Sequence, residues 1–256
     1  MTADTPSYGS AGTGVARGWR GRLLHFLLPA PCVACQEPVG DGAAGSGAGL
    51  GLCARCCGLL QPAPADAAMA GSGSYRRLLW GWNYAPPFDQ VIAALKFRRL
   101  DYLGTRLGGE LGRRFAAELD EVEVVTAVPL GWWRRLGRGY DQAEAIATAV
   151  ASRCGSRGRP LRRLLARRRT TPPQSLASFE ERRRNLEGAF AAKAAVGKTW
   201  RGCHILLVDD VVTTGATLEA AAFALMAAGA GRITALVAGR TPAPNEARGG
   251  GSCGNL

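Results

Sequence analysis

The stretch Cys203-His-Ile-Leu-Leu-Val-Asp-Asp-Val-Val-Thr-Thr-Gly-Ala-Thr-Leu218 leaves few folds open to this chain. Ile205 to Val208 is a short, branched apolar run, too brief for a helix, and it predicts a buried strand. Two carboxylates, Asp209 and Asp210, stand where that strand is expected to end. A loop of hydroxyl and small residues follows, Thr213-Thr-Gly-Ala-Thr217, and then an alanine-rich helix with Leu218, Ala222 and Leu225 on one face. The first turn of such a helix has backbone amides without internal partners, and its dipole places partial positive charge there. A phosphate at that point collects those amides, with Thr213, Thr214 and Thr217 adding hydroxyl donors. Gly215 lets the backbone adopt a positive φ with no Cβ between it and a ligand. Carboxylates repel phosphate, so Asp209 and Asp210 suit sugar hydroxyls or a bound Mg²⁺ instead. Strand alternation predicts that the two acids point to opposite sides and do different work. An ordinary strand, loop and helix with Thr and Asp as turn and cap residues explains each residue singly, but not their order.

Leu207 to Thr217 resembles the phosphoribosyl-pyrophosphate (PRPP) signature of the type I phosphoribosyltransferases. The resemblance implies that Asp209 and Asp210 face the ribose hydroxyls. It also implies that Val211, Thr213, Thr214, Gly215, Ala216 and Thr217 form the loop around the 5′-phosphate.

A second pattern lies upstream. Cys32-Val-Ala-Cys35 and Cys53-Ala-Arg-Cys56 are two C-x-x-C pairs separated by 17 residues, 36–52, the spacing of a two-knuckle zinc site. Four thiolates close the coordination sphere, so such a site is structural rather than catalytic. The intervening stretch is mostly Gly and Ala and holds too little apolar mass to fold alone; a metal replaces the missing core. A redox pair and disulfides are the competing readings, and Cys57 beside Cys56 leaves the fourth ligand open by one residue. Cys154, Cys203 and Cys253 have no patterned partners and read as incidental or buried thiols.

The remaining chain alternates strand and helix signals. Trp80 to Tyr84 reads as an aromatic strand ended by Pro86-Pro87, and Asp89 as the cap of a helix carrying Ile92 and Leu95. Leu103, Leu107 and Leu111 mark another helix, Val122 to Val128 a buried strand, and Ile233 to Val237 a last one. Between Pro129 and Gln142 glycines and arginines interleave after a strand, where open α/β sheets bind ligands. Arg138, Tyr140 and Gln142 are therefore set against pyrophosphate or an acceptor, the alternative being solvated arginines on a surface turn. Of 32 basic residues, only Lys96, Lys193 and Lys198 are lysines, and the formal net charge is +12. Eleven arginines fall between 152 and 184 against Glu180 and Glu181, a field that attracts PRPP or nucleic acid alike. Within it, the segment Arg169 to Leu176, which includes Gln174, has turn chemistry and reads as a mobile loop. The run Leu23 to Leu28 is broken by His25 and is far shorter than the roughly 20 apolar residues a membrane span needs. The expectation is a cytoplasmic protein without membrane insertion.

Taken together, the cysteine pairs, Leu95-Lys-Phe97, Val128-Pro-Leu130 with Arg138-Gly-Tyr-Asp-Gln142, Arg169-x-Thr171-x-x-Gln174, Arg184-Asn185 and the PRPP loop resemble the ComF family in content and order. That family is bacterial, with members tied to DNA uptake during natural competence and others to gluconate use. The resemblance implies an α/β fold: a type I phosphoribosyltransferase-like, mainly parallel sheet flanked by helices, preceded by a small zinc ribbon. The expected division is a disordered segment at 1–20, the ribbon at 21–60, a linker at 61–74, the phosphoribosyltransferase-like domain at 75–240 and a disordered tail at 241–256. Gly131, where the family more often has His, and Tyr140-Asp141-Gln142, where it has Phe-Asn-Gln, depart from the pattern on the acceptor side. Two functions remain open. One is transfer of a phosphoribosyl group from PRPP and Mg²⁺, with Arg138 and Arg169 stabilising the leaving pyrophosphate and Gln174 on the acceptor or pyrophosphate side. The other is a non-catalytic PRPP sensor, or a component that binds single-stranded DNA or a competence partner.

Overall fold

The computed structural model describes residues 31–39, 48–64, 68–71, 73–98, 100, 102–130, 140–154, 158–168, 188–193 and 199–242. The segments expected to be disordered, 1–20 and most of 241–256, lie outside those residues, as does the loop from Arg169 to Leu176.

The run Ile205–Val208 is buried on both faces, as a strand between two helical layers must be. It belongs to β6 (His204–Val212), which pairs in parallel with β7 (Arg232–Arg240) on one side and β3 (Val124–Ala127) on the other. β2 (Arg77–Asn83) continues the sheet in parallel beyond β7, and β1 (Ala68–Ala70) closes that edge antiparallel, giving the order β1-β2-β7-β6-β3. The architecture is mixed α/β with a mostly parallel sheet, as the sequence predicts.

Helices cover both faces. Leu206, Val208, Leu236 and Ala238 share one core with α2 (Phe88–Phe97), α3 (Tyr102–Arg114) and α4 (Gln142–Ala151). Leu103, Leu107 and Leu111 of α3 supply their predicted face to it, and Ile146, Ala147 and Val150 of α4 pack there as well. Ile205, Leu207, Ile233, Ala235 and Val237 point the other way, onto Leu218, Ala222 and Leu225 of α5 (Ala216–Ala227) and onto the small sheet of β4 (Leu165–Arg167) and β5 (Phe190–Ala192).

Three local expectations change. β6 does not end at the acids: it continues to Val212, because β7 runs alongside as far as Arg240 and supplies the ladder. Asp89 is not the cap of α2. Pro87 holds that position, and Asp89 sits inside the first turn, accepting from the Gln90 amide at 2.8 Å. The helix starts two residues early because Phe88 is fully buried and stacks on Trp82, ring centroids 5.0 Å apart. In the stretch with linker composition, 61–74, the described residues run along the edge of β2: they include β1, and the Ala63 amide donates to Gly81 O at 2.9 Å.

The cysteine-rich segment comprises a 3-10 turn, Ala48–Leu50, and a short helix α1 (Ala54–Gly58). Cys32, Val33, Leu50, Leu52 and Cys56 are buried in the same core as Leu95 and Leu103. The ribbon therefore contributes to the main body's packing.

Candidate functional site

The loop between β6 and α5 has the features the sequence predicts for anion binding. Gly215 adopts φ 78° and caps α5 in the left-handed region, where a side chain is strained. Glu219 N closes onto Gly215 O at 2.9 Å, and Ala216 N meets Thr214 Oγ1 at 3.5 Å. The amides ahead of Glu219 point out of the helix start. Thr213 and Thr214 are exposed, Thr217 is half-buried, and Ala216 is buried beneath them.

The acids sit at the carboxyl end of the sheet. Asp210 accepts from the Val211 amide at 2.6 Å and pairs with Lys96 of α2, Nζ to Oδ2 3.0 Å. Both side chains of that pair are mostly shielded, at 23% and 16% exposure. Asp209 accepts from the Asp210 amide at 2.8 Å. Burial pushes the Asp209 carboxyl well above the ordinary carboxylate range, and the Asp210 charge adds to it; the Asp210 amide and Lys96 pull it back, and Asp141 raises it. Asp141 caps α4, accepting from Glu144 N at 3.3 Å and, with its other oxygen, from Leu130 N at 3.0 Å. It thereby ties the end of β3's loop to the start of α4, next to the acid pair.

Lys96 stands beside the acids, whereas the sequence marks it only as the middle of the motif Leu95-Lys-Phe97 with no role in the site. A signal was present: it is one of three lysines in a chain whose other cations are arginines. Lysine is a compact point charge, and this one reaches a single carboxylate oxygen. Tyr140 is half-buried and packs against the core, while Gln142 opens α4 at 1% exposure. Val211 is half-buried within β6. Arg138, Arg169 and Gln174 lie outside the described residues.

The sulfurs of Cys32, Cys35, Cys53 and Cys56 lie within 4.8 Å of one another, Cys35 to Cys53 at 3.6 Å. Tetrahedral zinc at about 2.3 Å from each sulfur requires edges of about 3.8 Å, so the cluster fits a zinc ribbon. Cys57 turns away, directing its thiol to Leu52 O at 3.6 Å, and Cys56 takes the fourth position. Burial works to raise Cys32, but backbone amides, including that of Cys53 at 3.3 Å, outweigh it and bring the thiol down to about 6. Burial and the three neighbouring sulfurs push Cys56 the opposite way. Four thiolates this close repel one another unless a cation lies among them. His204 is no ligand. Its Nε2 meets Thr234 Oγ1 at 2.9 Å, and its Nδ1 lies 3.1 Å from Glu121 O, which fastens the start of β6 to its neighbours.

No family model matches the chain. A protein named DNA utilization protein YhgH from Escherichia coli O6:H1 is 29% identical over 225 residues, covering 81% of this chain and 96% of that protein. Its namesake from Escherichia coli K12 is 28% identical over 234 residues with the same coverage. Competence protein F of Haemophilus influenzae is 27% identical over 209 residues, 77% of this chain and 84% of its own length. The chain is a homologue of these proteins. The ComF resemblance drawn from the motifs stands with them. Among the described residues, no helix is long and apolar enough to cross a membrane.

Proposed function

We infer that the chain is a cytoplasmic PRPP-binding protein of phosphoribosyltransferase type that serves DNA uptake or utilization. The observation that carries the reading is the pairing, on one strand and its following loop, of a left-handed glycine at the start of α5 with two half-buried acids in the last rungs of the β6 ladder. A phosphate monoester suits the first, and ribose hydroxyls suit the second. Thr213, Thr214 and Thr217 add hydroxyls to the phosphate, and Asp209 and Asp210 orient the sugar. In the transfer reaction an acceptor displaces pyrophosphate from the anomeric carbon, with Arg138 and Arg169 taking the charge that develops on the leaving group. Tyr140, Gln142 and Gln174 are assigned to the acceptor or pyrophosphate side. Mg²⁺ suits the hard oxygens of this site and, when bound with PRPP, neutralises diphosphate charge. Zinc in the four-cysteine cluster is structural. The ribbon (21–60) and the phosphoribosyltransferase-like unit (75–240) are proposed as the functional parts.

The names of the relatives favour a second, non-catalytic reading, in which single-stranded DNA or a competence partner meets the arginine-rich face. Arg162 and Arg168 there are exposed. One titration separates the two. The wild type should take up PRPP in the presence of Mg²⁺, and Asp209→Asn with Asp210→Asn should weaken that at least about a hundredfold, two lost charge-assisted contacts at 1.5–3 kcal/mol each. No PRPP uptake by the wild type, together with oligonucleotide binding that falls steeply with salt, would leave only the DNA reading.

A further inference from the structure

Tyr75 precedes β2, distant in sequence from every residue of the loop, yet it packs beside the loop's glycine. A methyl group built on Gly215 would lie 3.6 Å from the Tyr75 hydroxyl. The tyrosine is buried, at 5% exposure, and among the described residues its hydroxyl has no hydrogen-bond partner. The ring is packed in the core, while the hydroxyl oxygen is not among the fully buried unpaired atoms and keeps access to solvent.

The neighbouring contacts hold it there. Glu219, one turn into α5, accepts with Oε1 from both the amide and the hydroxyl of Ser74, at 2.9 and 2.6 Å. Gly73 adopts φ 87°, and a Cβ on it would come within 2.8 Å of the same Glu219 oxygen. The segment before β2 is thus strapped to the helix whose N-terminus forms the anion site. The strap delivers Tyr75 to the one loop position that has no side chain. A tyrosine O–H is a neutral donor that reaches a phosphate oxygen without adding charge.

We propose that Tyr75 is a ligand of this site, its hydroxyl donating to the terminal phosphate of a phosphorylated sugar seated on the N-terminus of α5. Glu219 is its positioning residue, acting through Ser74. This assignment rests on the phosphoribosyl reading of the loop and adds to it a residue outside the β6–α5 segment.

The test uses ribose 5-phosphate and magnesium pyrophosphate as separate probes on the full chain. Tyr75→Phe should weaken ribose 5-phosphate about tenfold, the value of one hydrogen bond to a charged group, and leave pyrophosphate within about twofold. Its melting temperature should match or exceed that of the wild type, because the hydroxyl removed has no protein partner. Glu219→Ala should lose the same preference, and Glu219→Gln, which retains an acceptor for Ser74, should keep it. Equal ribose 5-phosphate affinity in Tyr75→Phe and a binding wild type overturns the tyrosine's role alone. A wild type that binds neither probe overturns the phosphoribosyl reading and the tyrosine's role with it.

Discussion

The two sites of this molecule are built on opposite plans. In the cysteine cluster every donor faces another donor, and four sulfurs within 4.8 Å satisfy one ion with nothing left for a substrate. The β6–α5 site is open instead: Thr213 and Thr214 are exposed ahead of the helix start, and Asp210 is held near the sheet's end by one lysine. A closed set of ligands makes folding depend on its metal. An open set works against folding, because a carboxyl pushed above its ordinary range is held in a place it resists. The contrast separates residues kept for stability from residues kept in spite of it.

The largest effect should come from the closed site. Metal analysis should return about one zinc per chain, and Cys56→Ser should abolish it and lower the melting temperature by on the order of 10 °C. Cys57→Ser should do neither; the reverse outcome would exchange the two ligands and undo the geometric assignment. The open site should respond in the opposite direction. Burial raises Asp209, so above about pH 4 the unfolded chain ionises this group freely while the folded protein resists it. Its favourable contribution is present below that pH and lost as pH rises toward the raised folded value. Asp209→Asn should therefore melt higher than the wild type at pH 7, with the advantage shrinking as pH falls from the raised folded value toward about 4 and gone below it. A variant less stable at pH 7 would mean that both sites are built for stability. The smallest effect belongs to a residue in neither site. Burial, with Arg232 close by, lowers His204, so its contribution is present above about pH 6.5 and lost as pH falls through the lowered folded value. Thermal melts between pH 7 and 5 should show that decline, and His204→Gln should flatten it.

How much of this was legible in the sequence follows from the range over which each feature is encoded. The C-x-x-C pairs, the loop order from Asp209 to Thr217 and the leucine face of α3 are local patterns, and each is found where its spacing predicts. The length of β6 is not local. Asp209 and Asp210 look like a strand end by composition, yet a neighbouring strand of equal length keeps them in the ladder. The same holds for 61–74, where Pro, Gly and Ser suggest a linker but the open edge of β2 recruits the backbone. Asp89 failed as a cap because a tertiary contact, Phe88 on Trp82, decides where α2 begins. Lys96 and Tyr75 reach the site from more than a hundred residues away in sequence, across contacts that no periodicity records. The choice between Cys56 and Cys57 needed the turn of α1, which directs one sulfur inward and the other to Leu52 O.

Arg98 gives the ribbon a mechanical connection to the acids. It follows α2 directly, two residues beyond Lys96, and its guanidinium donates to the carbonyl of Val33, between Cys32 and Cys35, at 3.4 Å. The first cysteine knuckle and the helix end that carries Lys96 to Asp210 are thus joined by a single side chain, with Val33 and Leu95 packed in one core beneath it. The cysteine knuckle works as an anchor post for α2, and slack at the post becomes play in the lysine that steadies Asp210.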